Sequence, residues 1–188
     1  MPTKGEYLDA WIEWTMTAIN AGYEPYLLTF MFNQMQGTEG RTTARMINLI
    51  EDVFSKLLTR IVRDPRKADI YTEYPRLIAA PDWPVHSHMK MTLEESVLNA
   101  GKHWHGIFLM PPRSRMWTSL DKYIAEKQGK YAGKSRPIMR VHAVAIETTE
   151  RKAIGYAFKQ LDRRRIGNDA IAIMPKTHSE MPSRSGRA

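Results

Sequence analysis

The chain has 188 residues, 43% hydrophobic and 26% charged, which suits one domain with a sizeable core. It contains no cysteine, excluding a disulfide scaffold, thiolate zinc sites and cysteine nucleophiles. Its 28 Lys and Arg against 20 Asp and Glu leave a net charge of +8 and an isoelectric point near 9.7, a balance that favours a polyanionic partner such as nucleic acid. No apolar run approaches a membrane span, and the first six residues lack the hydrophobic region of a signal peptide, so the expected compartment is the cytoplasm, without a membrane partner.

Residues 6–20 carry Leu8, Trp11, Ile12, Met16 and Ile19 at helical spacing, and Gly22 supplies a stop. Tyr26 to Phe32, bounded by Pro25 and Asn33, is a short aromatic-rich run expected to be a buried strand. After a loop at 37–40, a long helix is expected over 43–63, with Ile47, Ile50, Val53, Phe54, Leu57, Leu58 and Ile61 as its core stripe. Pro75, Pro81 and Pro84 argue against long regular elements over 66–85, where only a short strand at 70–73 is expected.

Residues 89–110 admit a β-hairpin turning at Asn99-Ala100-Gly101, a register that sets Glu95 directly across from His105. A helix is the alternative there, because Thr92 and Glu95 make a capping box and Gly101 a stop. Pro111-Pro112 ends the strand, and a helix is expected over 118–128. Residues 138–147 alternate cleanly, with Val141, Ala143 and Ala145 on one side and Arg140 and His142 on the other. A helix over 151–165 and a disordered basic tail from 175 complete the chain.

Chemistry concentrates in two places. In His103-Trp104-His105 the two imidazoles share one face of a strand, while Trp104, Phe108 and Met110 turn to the core. Two imidazoles on a rigid strand can supply two nitrogen ligands to one divalent cation. On the 151–165 helix, Ile154, Ala157, Phe158 and Leu161 form a core stripe, and Lys152, Tyr156, Lys159, Gln160 and Arg163 gather opposite. A tyrosine with a lysine three positions on is a candidate nucleophile, because a nearby cation favours the phenolate. His86-Ser87-His88 is a second histidine pair, but its middle residue is polar and Pro84 precedes it. Gly129 to Ser135 imitates a phosphate loop; it is one residue short and lacks a preceding strand and following helix, so no ATPase is expected. Tyr123 and Tyr131 are alternative nucleophiles, Tyr123 belonging to an apolar stripe.

These residues resemble the HUH endonuclease superfamily, and within it the rolling-circle replication initiators, or Rep proteins. Leu27-Leu28-Thr29-Phe30 is similar to the family's first motif, His103-Trp104-His105-Gly106 to its second, and Tyr156-Ala157-Phe158-Lys159 to its third, in the family's order over residues 25–165. The resemblance implies an α+β fold, a central antiparallel sheet of about five strands flanked by helices. It implies a catalytic domain over 23–174, with the helix of 1–22 packed on it and 175–188 as the tail. The implied activity is metal-dependent nicking and joining of single-stranded or hairpin origin DNA. Tyr156 would be the nucleophile, left on the 5′-phosphate, and the free 3′-hydroxyl would be extended by a host polymerase working with a helicase.

His103 and His105 would hold Mg²⁺ or Mn²⁺, and Lys159 would stabilise the phenolate or the charge of the transition state. The resemblance assigns the third ligand to an acidic residue on a neighbouring strand: Glu95 first, then Glu94 or Glu73. Related single-tyrosine transposases use a glutamine four residues after the tyrosine, the spacing of Gln160. Phosphate contacts are expected from Arg113, Arg115, Lys130 and Lys134 around the cleft and from Arg163, Arg164 and Arg165, which continue the active helix. Trp117 is a candidate for stacking on a base. A transposase, a relaxase or a non-catalytic nucleic-acid-binding module are the alternatives.

Overall fold

Alternation of large apolar side chains along Glu24–Phe32 (β1) buries Tyr26, Leu28 and Phe30 on one face, with Leu27 and Thr29 turned to the other. A computed structural model of the chain describes residues 4–69, 72–83, 98–162 and 170–176, with the backbone alone at 4, 161 and 162. The fold is α+β. Among the described residues, β1, Arg76–Asp82 (β2), His103–Met110 (β3), Ile138–Ala145 (β4) and Ala172–Met174 (β5) form one antiparallel sheet ordered β4-β1-β3-β2-β5. No helix among these residues is long and apolar enough to cross a membrane.

Because strand residues alternate between faces, each strand in the middle feeds two cores. On one face Trp104, Phe108 and Met110 of β3 meet Leu77, Phe30 and the buried stripe of the helix Glu39–Ile61 (α2), including Ile50, Phe54 and Leu57. The helix Leu120–Glu126 (α3) covers the same side through Leu120 and Ile124, and a single turn, Gln128–Tyr131 (α4), follows it. On the other face Ile107 and Leu109 meet Ile78 and Ala80, beneath Ile154, Ala157 and Phe158 of the helix Glu150–Ala157 (α5) and the turn after it. The helix Lys4–Asn20 (α1) packs there too, through Leu8, Trp11, Ile12, Met16 and Ile19, and ends where Gly22 takes φ 93°. One further turn, Lys159–Asp162 (α6), continues from α5.

Several expectations are corrected. β3 pairs with β1 on one side and β2 on the other, and the hairpin strand expected over 89–97 lies outside the described residues. The expected strand at 70–73 is not found: Thr72 and Glu73 lie in a turn, and 70–71 fall outside the described residues. The strand is instead β2, which contains Pro81. Proline fits because β5 pairs with β2 only between Leu77 and Ala79, leaving Pro81 at an edge where no ladder donor is needed on that side. The expected helix over 151–165 breaks at the buried Phe158, whose φ of −108° and ψ of 15° leave the helical region. At the C-terminal end Lys176 is held by Glu51 at 2.5 Å, and the rest of the expected tail lies outside the described residues.

Candidate functional site

The odd-numbered residues of β3 face α5, and at the strand's start these are His103 and His105. In β2 the same face carries Ile78, Ala80 and Asp82, and the register sets Asp82 directly across from His103. Three ligand-type side chains therefore converge from two adjacent strands. The two Nε2 atoms lie 3.2 Å apart, and each is 3.4 Å from Oδ2 of Asp82.

The other ring nitrogens are occupied. His103 Nδ1 donates to the carbonyl of Gly101 at 2.9 Å, which in the neutral ring leaves Nε2 with its lone pair. His105 Nδ1 lies 3.1 Å from Oγ1 of Thr29, its register partner on β1. Tying the outer nitrogen of each imidazole to a second group is how metal-binding histidines are oriented. The Gly101 carbonyl is itself aimed by a turn in which Asn99, Ala100 and Gly101 all take positive φ, at 51°, 55° and 73°. Left-handed backbone costs an alanine roughly 1–2 kcal/mol. Asn99 offsets it: its Nδ2 donates to the carbonyls of Phe32 (3.2 Å) and Asn33 (3.1 Å), and its Oδ1 accepts from the N–H of Met35 (2.9 Å).

The helical side of the cluster is built by Tyr156, Lys159 and Gln160. The Tyr156 ring lies 5.3 Å from that of His105, centre to centre, and Tyr156 is 49% exposed. Lys159 Nζ stands 2.6 Å from Oδ2 of Asp82 and 4.2 Å from the centre of the Tyr156 ring. The break at Phe158 carries Gln160 inward rather than leaving it on the polar face: it is 1% exposed, and its Nε2 donates to Oδ1 of Asp82. The N–H of Trp83 donates to the same oxygen at 2.9 Å.

Burial alone would raise the Asp82 carboxyl, but the closeness of His103, His105, Gln160 and Lys159 outweighs it and holds the group far below the usual carboxylate range. Burial lowers the His105 imidazole more than its bond to Asp82 raises it, favouring the neutral, ligating form.

The cluster can hold a metal ion: one ligand atom from each of Asp82, His103 and His105 lies within 4.8 Å of the others. An ion with bonds of about 2.1 Å spaces neighbouring ligands about 3.0 Å apart in an octahedron and about 3.4 Å in a tetrahedron. The three separations, 3.2, 3.4 and 3.4 Å, fall in that window. In addition, Gln160 Oε1 is buried with no hydrogen-bond partner among the described residues, an acceptor of the kind a cation satisfies.

No protein-family model, curated protein or solved structure matches this chain. Its chemistry therefore rests on the cluster itself.

The expected site residues are distributed as follows. His103, His105, Tyr156 and Lys159 come together, and Gln160 joins them. The positions beside His105 are taken by Thr29 and Ala80, and Glu95 and Glu94 lie outside the described residues. Glu73 precedes β2 at the end paired with Leu109, the far end from the histidines, and its carboxylate accepts from the N–H of Asp69 at 3.0 Å. Arg113 and Arg115 follow the end of β3 and so lie away from the cluster rather than around it. Arg163, Arg164 and Arg165, with His86 and His88, lie outside the described residues. Tyr123 and Tyr131 bond to each other at 3.3 Å beneath the opposite face of the sheet.

Asp82 is the ligand-type residue that the sequence reading missed. Its signal was present: Leu77-Ile78-Ala79-Ala80 is an uninterrupted apolar run, and the alternation Ile78, Ala80, Asp82 puts an acid on one face at its end. The flanking prolines hid it.

Proposed function

We propose that this protein is a metal-dependent, single-tyrosine nuclease and strand transferase of the HUH endonuclease type, acting on single-stranded DNA as a rolling-circle replication initiator does. The observation that carries the reading is the meeting of an exposed phenol, Tyr156, with the buried Asp82–His103–His105 cluster and with Lys159 between them. Two imidazoles and a carboxylate suit Mn²⁺, and Mg²⁺ with more of its water retained. A divalent ion held there supplies Lewis-acid polarisation of a scissile phosphate.

The side chains do the rest. Tyr156 Oη forms a bond to phosphorus as the bond from phosphorus to the 3′-oxygen breaks. The phenol gives up a proton and the 3′-oxygen takes one, so the products are a 5′-phosphotyrosine and a free 3′-hydroxyl. Lys159 sets a positive charge beside the ring and the reacting phosphate, where negative charge builds. One phosphate ester replaces another, so a 3′-hydroxyl can reverse the step without a nucleotide cofactor. Asp82 would hold the ion beside the two imidazoles, and Thr29 acts through His105; neither touches the substrate.

A second reading within the same chemistry, a single-tyrosine transposase, is favoured by Gln160, which lies at the cluster four residues after Tyr156. Substrate separates the two: cleavage at a hairpin origin supports initiation, and cleavage at inverted-repeat ends supports transposition. The chemistry is tested with a labelled single-stranded oligonucleotide in Mn²⁺. A polymerase-extendable 3′ fragment, lost in Tyr156→Phe, supports the reading. A free 5′-phosphate fragment that persists in Tyr156→Phe would mark a water-using nuclease.

A further inference from the structure

The loop after β3 gathers a second concentration of positive charge, far from the cluster. His103 begins β3 and Met110 ends it, about 23 Å of strand apart. The N–H of Arg115 donates to the carbonyl of Ile61 at 3.0 Å, fastening this loop to the C-terminal end of α2. That contact brings Arg115 beside Arg60 and Arg63, and with Trp117 and Tyr123 they line a groove of about 680 Å³. Arg113 joins Arg63 and Arg115 in an adjoining cavity of about 390 Å³.

Three features need an explanation. Trp117 is fully exposed, at 101%. A large aromatic left wholly in water forgoes the gain of burial, and tryptophan is over-represented where another molecule covers it. Arg63, Arg113 and Arg115 are exposed, and none has an acidic partner among the described residues. The nearby acids are engaged elsewhere, Asp64 with Arg66 at 3.5 Å and Glu73 with the N–H of Asp69. Arg60, finally, is held in place by donating through Nε to the Tyr123 hydroxyl at 3.2 Å.

An isolated aromatic face ringed by guanidinium groups matches a strand of unpaired nucleotides: one base offers a π-face, and the flanking phosphodiesters accept forked hydrogen bonds. A lipid surface would call for several protruding apolar side chains, whereas Met116 beside Trp117 is half-buried. We propose that this groove is a second, non-catalytic site for single-stranded nucleic acid, in which a base stacks on Trp117 while Arg63, Arg113 and Arg115 hold the adjacent phosphates. The site holds a substrate strand at the end of the sheet remote from Tyr156.

The test is fluorescence anisotropy of the full chain with a labelled oligothymidylate of about sixteen nucleotides, in EDTA. EDTA silences strand cleavage, so this result and the fate of the tyrosine reading are scored separately. Trp117→Ala should weaken binding by about 5- to 150-fold, and Trp117→Phe, which keeps a stacking face, should recover most of it. Arg63→Ala with Arg115→Ala should flatten the slope of log affinity against log salt by about 1.4, two phosphates at about 0.7 each. Unchanged affinity in Trp117→Ala would overturn the proposal. So would equal losses in the alanine and phenylalanine variants, or a Trp117 dependence seen only with vesicles of anionic phospholipid.

Discussion

Replacing Asp82 with alanine should erase the protein's response to divalent ions. Asp82 is 1% exposed, and its Oδ2 lies 3.4 Å from each Nε2 and 2.6 Å from Lys159 Nζ, so no water-exposed group can take its place without rearrangement. In the wild type, an ion at a hundred times its dissociation constant stabilises the folded state by about 2.7 kcal/mol. For a chain of 188 residues that is a rise of roughly 5–11 °C in Tm. Without metal, the alanine variant leaves the Lys159 ammonium facing two imidazoles with its counter-charge gone. Breaking a buried pair costs about 3–5 kcal/mol, and the lower end applies because the Lys159 side chain retains 19% exposure and can turn to water. Thermal unfolding in EDTA and in Mn²⁺ separates the two effects: Asp82→Ala and Asp82→Asn should melt lower in EDTA and gain little from Mn²⁺. A normal rise in Asp82→Ala would refute the ligand assignment.

Two further outcomes follow from the same geometry. Thr29→Val removes the hydroxyl 3.1 Å from His105 Nδ1 and should weaken Mn²⁺ binding by about 10- to 100-fold by calorimetry, with far-UV circular dichroism unchanged. Gly106→Ala would set a Cβ 2.8 Å from Leu77 Cδ1 and 3.1 Å from the carbonyl oxygen of Ile78, and should cost about 1–3 kcal/mol in denaturant unfolding, whereas Gly155→Ala, with open space at its Cβ, should cost nothing.

Much of the fold was legible because it depends on periodicity. The apolar runs at 26–32 and 103–110, the alternation at 138–145 and the apolar stripe of α2 each specify one element. The elements that could not be read are those fixed by pairing. β2 was discounted for Pro81, although proline is harmless where β5 has already ended, and β5 itself has three residues, too few to show a period. The site divides along the same line. His103, His105, Tyr156 and Lys159 stand at fixed local spacings, which a sequence displays. Asp82 reaches them only through the register of β2 on β3, a long-range choice with no local mark, and Gln160 only through the break at Phe158.

Mass spectrometry of the protein after reaction with single-stranded DNA in Mn²⁺ tests the tyrosine chemistry most directly. The tryptic peptide Ala153–Lys159 contains one tyrosine, Tyr156, so a nucleotide mass on it locates the linkage without ambiguity. The expected result is a nucleotide adduct on that peptide that is absent in EDTA. An adduct on the peptide of Tyr123 or Tyr131, or strand cleavage with no protein-linked nucleotide, would contradict it.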